Sequence, residues 1–117
     1  MAPPLPWFIV PLCVAAGVVM IALGLPLYLR RVPPNPFYGI RLRSTRGDDR
    51  VWYEINARAG RDMMVLGAVY LGLFGLAMRQ SWIPAFRVLV PVTVLAIGVI
   101  ADTIVLMSAA SRLAGER

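Results

Sequence analysis

From Trp7 to Leu29 the chain runs 23 residues without a charged side chain. A helix rising 1.5 Å per residue covers roughly 34 Å over that length, enough to cross a ~30 Å hydrocarbon core. A cleaved signal peptide would open on basic side chains and carry a shorter apolar stretch. Here Met1-Ala2-Pro3-Pro4-Leu5-Pro6 holds no basic residue, and Arg30-Arg31 follow the apolar run. The pattern is that of a retained membrane anchor. Pro6 and Pro11 fall near its first turn, where a missing N–H costs little. Pro26 falls near its far end and is expected to kink or loosen the last turn.

Two further apolar blocks follow. Met63 to Met78 lies between Arg61-Asp62 and Arg79. These 16 residues are short for a span, so flanking arginines must snorkel or the helix must begin earlier. Val88 to Ser111 is bracketed by Arg87 and Arg112 and interrupted only by Asp102. Trp82, Pro84 and Phe86 precede it, as expected for an aromatic interfacial belt and a helix start. The expected fold class is all-α. It is a three-span transmembrane bundle forming one membrane domain over residues 1–117, with spans near 7–29, 63–78 and 88–111 and a loop over 30–62. Composition agrees: 59% of residues are hydrophobic and mean hydropathy is +0.71, well above soluble-domain usage.

The residue inventory removes most chemistry. The net charge of +6 comes from 12 Arg against 6 acids, with no Lys, no His and one Cys. A lone Cys13 gives no intrachain disulfide and no thiolate metal cage. Without His, zinc hydrolysis and Ser-His or Cys-His pairs cannot be built, and without Lys neither can a Schiff base. No metal, cofactor or catalytic residue is expected, and no bond chemistry. The acids Asp48, Asp49, Glu54 and Asp62 alternate with arginines and mostly satisfy them. Nucleic acid is not an expected partner, because the membrane itself accounts for the arginines.

Topology follows from those arginines. Eight of them lie between Arg30 and Asp62, whereas the second connection holds only Arg79 and Arg87, and the tail Arg112 and Arg117. The positive-inside rule therefore predicts a multi-pass protein of the plasma (inner) membrane. Its N-terminus would lie outside, with loop 30–62 and the C-terminus in the cytoplasm.

The loop carries most of the remaining information. Pro33, Pro34, Pro36 and Gly39 make its first half an extended or turning approach. Gly39 permits a tight turn or close backbone approach, and Arg41 can fork onto a carboxylate or phosphate. Thr45-Arg46-Gly47-Asp48 resembles a helix-capping pattern. An amphipathic helix from about Arg46 to Gly60 is predicted next. Val51, Ile55 and Ala59 would share one side with Trp52, opposite Tyr53, Glu54 and Arg58. It would lie at the cytoplasmic headgroup surface, apolar side toward lipid or the bundle, with its arginines near anionic lipids. Glu54 and Arg58 form a well-oriented i, i+4 ion pair. Asn56, one turn after Trp52, either docks a ligand or makes a helix-packing hydrogen bond; Trp52 is an interfacial anchor or a binding platform.

Pro34-Asn35, Gly39-Ile40-Arg41, Ser44-Thr45, Trp52, Asn56 and Gly60 together resemble the loop signature of the SdpI family of small bacterial membrane proteins. The likeness covers roughly residues 33–60. Leu42 stands where family members often carry Thr after the Gly-x-Arg. The resemblance implies an integral membrane protein acting in immunity to a secreted peptide toxin, or in signalling by holding a transcriptional regulator at the membrane. It implies that Pro34, Asn35, Gly39, Arg41, Thr45, Trp52, Asn56 and Gly60 form the motif and partner-binding surface.

Asp102 is the costliest residue to insert, at ~2.5–3.5 kcal/mol near a span centre. It shares a side of its helix with Leu95, Gly98, Val105 and Ala109. It is either a proton, cation or ligand site, or an Asp paired with a loop arginine such as Arg41 or with a Ser, Thr or backbone donor. The alternative function is accordingly a small transporter or ion-conducting subunit with Asp102 as coupling carboxylate. Gly17 and Gly24 in the first span, and Ala68, Gly72 and Gly75 in the second, are expected to pack helices, within one chain or in a homo-oligomer. Met20 and Tyr70 are expected in the core.

Overall fold

The computed structural model describes residues 6–40, 47–80 and 84–115. Three helices account for most of them: α1 (Ile9–Tyr28), α2 (Asp49–Met78) and α3 (Pro84–Gly115). All three are long and apolar enough to cross a membrane. The middle helix organises the bundle, since α1 and α3 each pack along it. The bundle is 61 Å long and 22 by 19 Å across. Large apolar side chains such as Val18, Leu25, Val65, Leu76, Ile97 and Ile104 face outward, as expected where lipid rather than water is the solvent.

The predicted boundary at Gly60 is overturned. Among the described residues no separate interfacial helix precedes the second span; α2 runs 30 residues without a break. Nothing at Gly60 stops it, because the glycine keeps helical backbone and is used for packing instead. At 1.5 Å per residue, residues 49–62 extend the apolar part of α2 by roughly 20 Å. The cap also moves. Asp48, not Thr45, begins the helix: its Oδ1 accepts from the amides of Arg50 and Val51 at 3.0 and 3.4 Å. An aspartate there satisfies orphan amides and complements the helix dipole. Thr45 and Arg41 lie outside the described residues.

Helix α1 ends in a Schellman turn. The Arg30 amide donates to the Leu27 carbonyl at 3.1 Å and the Arg31 amide to that of Pro26 at 3.0 Å. Arg30 sits at the left-handed position, φ 59°, which glycine ordinarily fills. An L-residue pays about 1 kcal/mol or more for that conformation.

Glycines set the approach of α1 to α2. Gly24 and Gly60 face each other; a β-carbon on Gly60 would press into the carbonyl of Gly24 and come within 2.5 Å of the Tyr28 nitrogen. Gly67 packs on Ile21 and the carbonyl of Gly17, and Gly17 on Leu71 and Tyr70. Tyr70 is buried, stacks on Phe74, and donates its hydroxyl to the Cys13 carbonyl at 2.9 Å. Met20 is half-buried. Within the single chain Ala68, Gly72 and Gly75 do not pack on another helix: all three are exposed, and Gly72 and Gly75 have nothing within 4 Å. The packing face is instead Gly60–Gly67, one helical repeat earlier and rotated toward α1.

The far end of α3 closes onto the start of α2. Val51, Ile55 and Ala110 are fully buried together, with Ile40, Ala109 and Leu113 packed on them. Arg50 donates to the Leu113 carbonyl at 2.9 Å, satisfying a helix-end acceptor.

Candidate functional site

The loop over residues 31–40 is held by side chains rather than by regular structure. Asn35 organises it internally. Its Oδ1 accepts from the amides of Phe37 and Tyr38 at 2.9 and 2.7 Å, and its Nδ2 donates to the carbonyls of Pro33 and Tyr38 at 2.8 and 3.1 Å. An Asn side chain suits this, having both donors and an acceptor in one plane. Pro34 lies beside it in the extended approach, where proline restricts the backbone without needing an amide partner.

Two residues of α2 then fasten the loop from below. The Trp52 indole donates to the Val32 carbonyl at 2.9 Å. Asn56 treats Ile40 as a neighbouring strand would: its Oδ1 accepts the Ile40 amide at 2.5 Å and its Nδ2 donates to the Ile40 carbonyl at 3.4 Å. The same Nδ2 donates to the Trp52 carbonyl at 3.0 Å. Both side chains are almost fully buried. Asn56 thus makes the packing hydrogen bond rather than presenting itself to a ligand, and Trp52 is a buried anchor rather than a surface platform. Gly39 is needed at the crossing. Its φ is +106°, and a β-carbon there would lie 2.8 Å from Asn56 Oδ1 and 3.2 Å from the Trp52 ring.

A further fastening ties the loop to α1 near Pro26, itself inside the helix. The missing N–H of that proline leaves the Ala22 carbonyl without its ladder donor; one residue on, the Tyr38 hydroxyl donates to the Leu23 carbonyl. Burial pushes the Tyr38 phenol above its ordinary value. Tyr38 stands out neither by charge nor by spacing in the sequence, and its partner on α1 is set only by the tertiary structure.

Among the described residues, the motif therefore converges on one structure. Pro34, Asn35, Gly39, Trp52 and Asn56 hold a loop on α2, and Gly60 brings α1 close enough for that loop to reach it. The clamp leaves Phe37 pointing away, 91% exposed.

Beneath Tyr38–Ile40 lies a cavity of about 350 Å³ between α1 and α3, with Leu23, Met63, Leu66, Thr103 and Leu106 among its walls. Asp102 borders it and also borders a smaller cavity with Asp62 and Val65. Its carboxyl meets that of Asp62 on α2, with the Arg61 charge close by; Arg61 in turn pairs with Asp62 at 3.0 Å. The neighbour that sequence spacing could not supply was Asp62, since it lies on another helix. Gly98, on the same side of α3, lets Leu66 approach. No group of three or more metal-ligating side chains occurs among the described residues.

A second cluster sits outside the clamp. Glu54 accepts from Arg30 at 2.8 Å and from Arg58 at 3.2 Å. The i, i+4 pair was legible in the sequence; the Arg30 contribution, 24 residues away, was not. The Arg30 hydrogen bond holds the Glu54 carboxyl below its ordinary value against the opposing effect of burial, and the Arg58 hydrogen bond adds to the lowering.

A clamp built from Pro-Asn, Gly, Trp and Asn between two membrane helices is the pattern that the sequence resemblance named. The profile of the SdpI/YfhL protein family matches residues 31–108. The chain belongs to the SdpI/YfhL family. The match takes in the loop, all of α2 and most of α3, about two-thirds of the protein. No curated protein and no solved structure matches the chain. The family and three candidate spans make this an integral, multi-pass membrane protein.

Proposed function

We propose that this SdpI/YfhL-family protein acts in peptide-toxin immunity or membrane signalling by presenting its clamped loop to a partner. No bond is made or broken in this role. The carrying observation is the pairing of a pinned backbone with an exposed aromatic. Asn35 and Asn56 fix residues 33–40, so Phe37 stands in solvent or headgroups without being free to collapse onto the bundle. Preorganised aromatics bind partners at low entropic cost. The arginine count of the loop supports a cytoplasmic setting for it, checked by fusing to the C-terminus a reporter active only in the cytoplasm.

The functional test is expression in cells challenged with a secreted peptide toxin. Protection is the expected result. Phe37→Ala should erase protection while leaving the amount of membrane-inserted protein unchanged, because the Phe37 side chain makes none of the clamp hydrogen bonds and its amide, which donates to Asn35, is kept. Protection undiminished by Phe37→Ala, or none with wild type, refutes the reading.

The contact of Asp102 with Asp62 favours one other reading, a small transporter or ion-conducting subunit. A proton or cation held between two carboxyl groups would relieve their repulsion. Flux in liposomes that Asp102→Asn abolishes would support it; flux that persists in Asp102→Asn would remove it.

A further inference from the structure

We propose that Arg30, Arg58 and Arg61 form a pocket for the phosphate of an anionic lipid headgroup at the bilayer–water boundary. The pocket goes beyond the loop-presentation reading and does not depend on it. Its volume is about 400 Å³, and Tyr28, Glu54 and Ala57 complete its lining. That volume suits a small ligand group.

Position is the first argument. The pocket lies where the uncharged run of α1 stops, at Tyr28 and Arg30, and just before the apolar stretch of α2 begins at Met63. A phospholipid phosphate occupies that level. Outward-facing Leu25 and Val65 give acyl chains apolar surface on the membrane side of it.

Charge and geometry are the second. Three arginines and one glutamate line the pocket; with Asp62 paired to Arg61 from outside the lining, the concave site still holds one more positive than negative charge. Glu54 takes one N–H of Arg30 and bonds both Nε and Nη2 of Arg58. Each guanidinium carries five donors, so Glu54 orients the two arginines without exhausting them. Oriented guanidinium forks match phosphate oxygens bidentately.

The backbone of Arg30 is the third. The Schellman turn after α1 calls for glycine at this position, yet an arginine occupies it at φ 59°. The turn gains nothing from the guanidinium. What the strained backbone does is direct that guanidinium onto Glu54, 24 residues away, at 2.8 Å. A non-glycine residue held in this region points to a use for its side chain.

The test uses the full chain purified in a neutral detergent. Thermal unfolding and native mass spectrometry are recorded with dioleoyl phosphatidylglycerol, dioleoyl phosphatidylcholine or inorganic phosphate. Phosphatidylglycerol should stabilise the protein saturably and remain bound in the spectrometer, and phosphatidylcholine should do neither. Arg30→Gly and Arg58→Gln should weaken phosphatidylglycerol binding roughly tenfold or more, and Arg79→Gln, at the opposite end of α2, should not. Arg30→Gly is the decisive variant, because glycine suits the turn and the lipid-free protein should unfold no earlier than wild type. Equal stabilisation by inorganic phosphate overturns the lipid assignment. Equal losses in Arg79→Gln, or unchanged binding in Arg30→Gly, overturn the pocket.

Discussion

Replacing Asn56 by Ala removes three hydrogen bonds at one buried point. Two join the loop to α2 through the amide and carbonyl of Ile40, and the third braces the Asn side chain against the Trp52 carbonyl. Asn56 is 2% exposed, so water cannot readily replace what is lost. Each such bond contributes ~1 kcal/mol net, and a buried group deprived of its partner costs ~1–3 kcal/mol. The 3.4 Å contact is the weakest, so the loop should lose about 2–3 kcal/mol of docking free energy. That is roughly a 30- to 150-fold rise in the undocked fraction. Hydrogen exchange in detergent micelles reads it directly. The Ile40 amide should exchange faster by that factor in Asn56→Ala, and the Phe37 and Tyr38 amides should follow once the loop swings free. Amides of α2 beyond Gly67 should not change, since Tyr70, Phe74 and the α1 contacts there share no group with Asn56. Unchanged protection at Ile40 would refute the clamp. So would uniform loss across all three helices, which would make Asn56 a general stability residue rather than a fastening for the loop.

The helix crossing gives a paired prediction. Gly60→Ala should destabilise the bundle in detergent by about 1–3 kcal/mol, because its β-carbon meets backbone of α1 rather than a movable side chain. Gly72→Ala, where nothing lies within 4 Å, should be neutral or stabilising by up to about 1 kcal/mol; equal thermal shifts in the two variants would count against the crossing. Glu54 predicts a pH dependence. Its folded carboxyl lies below the ordinary 4.5, so its contribution is present above that pH and fades as pH falls through the folded value. Glu54→Gln should flatten the acid limb of the unfolding curve, and an unaltered limb would show that the Arg30–Glu54–Arg58 cluster adds nothing to stability.

Much of the clamp was legible as spacing but not as purpose. The i, i+4 series Val51, Ile55, Ala59 did mark the buried side of α2, because period alone decides which residues share a helix face. The sequence leaves Asn56 two meanings, and the packing bond it makes depends on the Ile40 backbone lying 16 residues upstream. Gly60 was misread as a terminus. A glycine can end a helix or let another helix approach, and the difference lies in whether Gly24 stands opposite. Gly72 and Gly75 meet nothing within this chain, since small residues pack only where a neighbour stands opposite.

The amino-acid order by itself determined that this protein lives in lipid as three helices. Apolar length sets what can cross a bilayer, and that property is local to each segment. The same is true of the Glu54–Arg58 pair, which helical spacing dictates. Only the tertiary structure decided that Tyr38 reaches the Leu23 carbonyl, that Asp62 meets Asp102, and that Arg30 joins Arg58 across Glu54. Each of those depends on two segments distant in sequence meeting at a few ångströms. Helix rotation and crossing set such distances, and these are fixed where helices meet, at the glycine contacts of α1 with α2 and at Gly98 with Leu66, rather than by any one segment's composition.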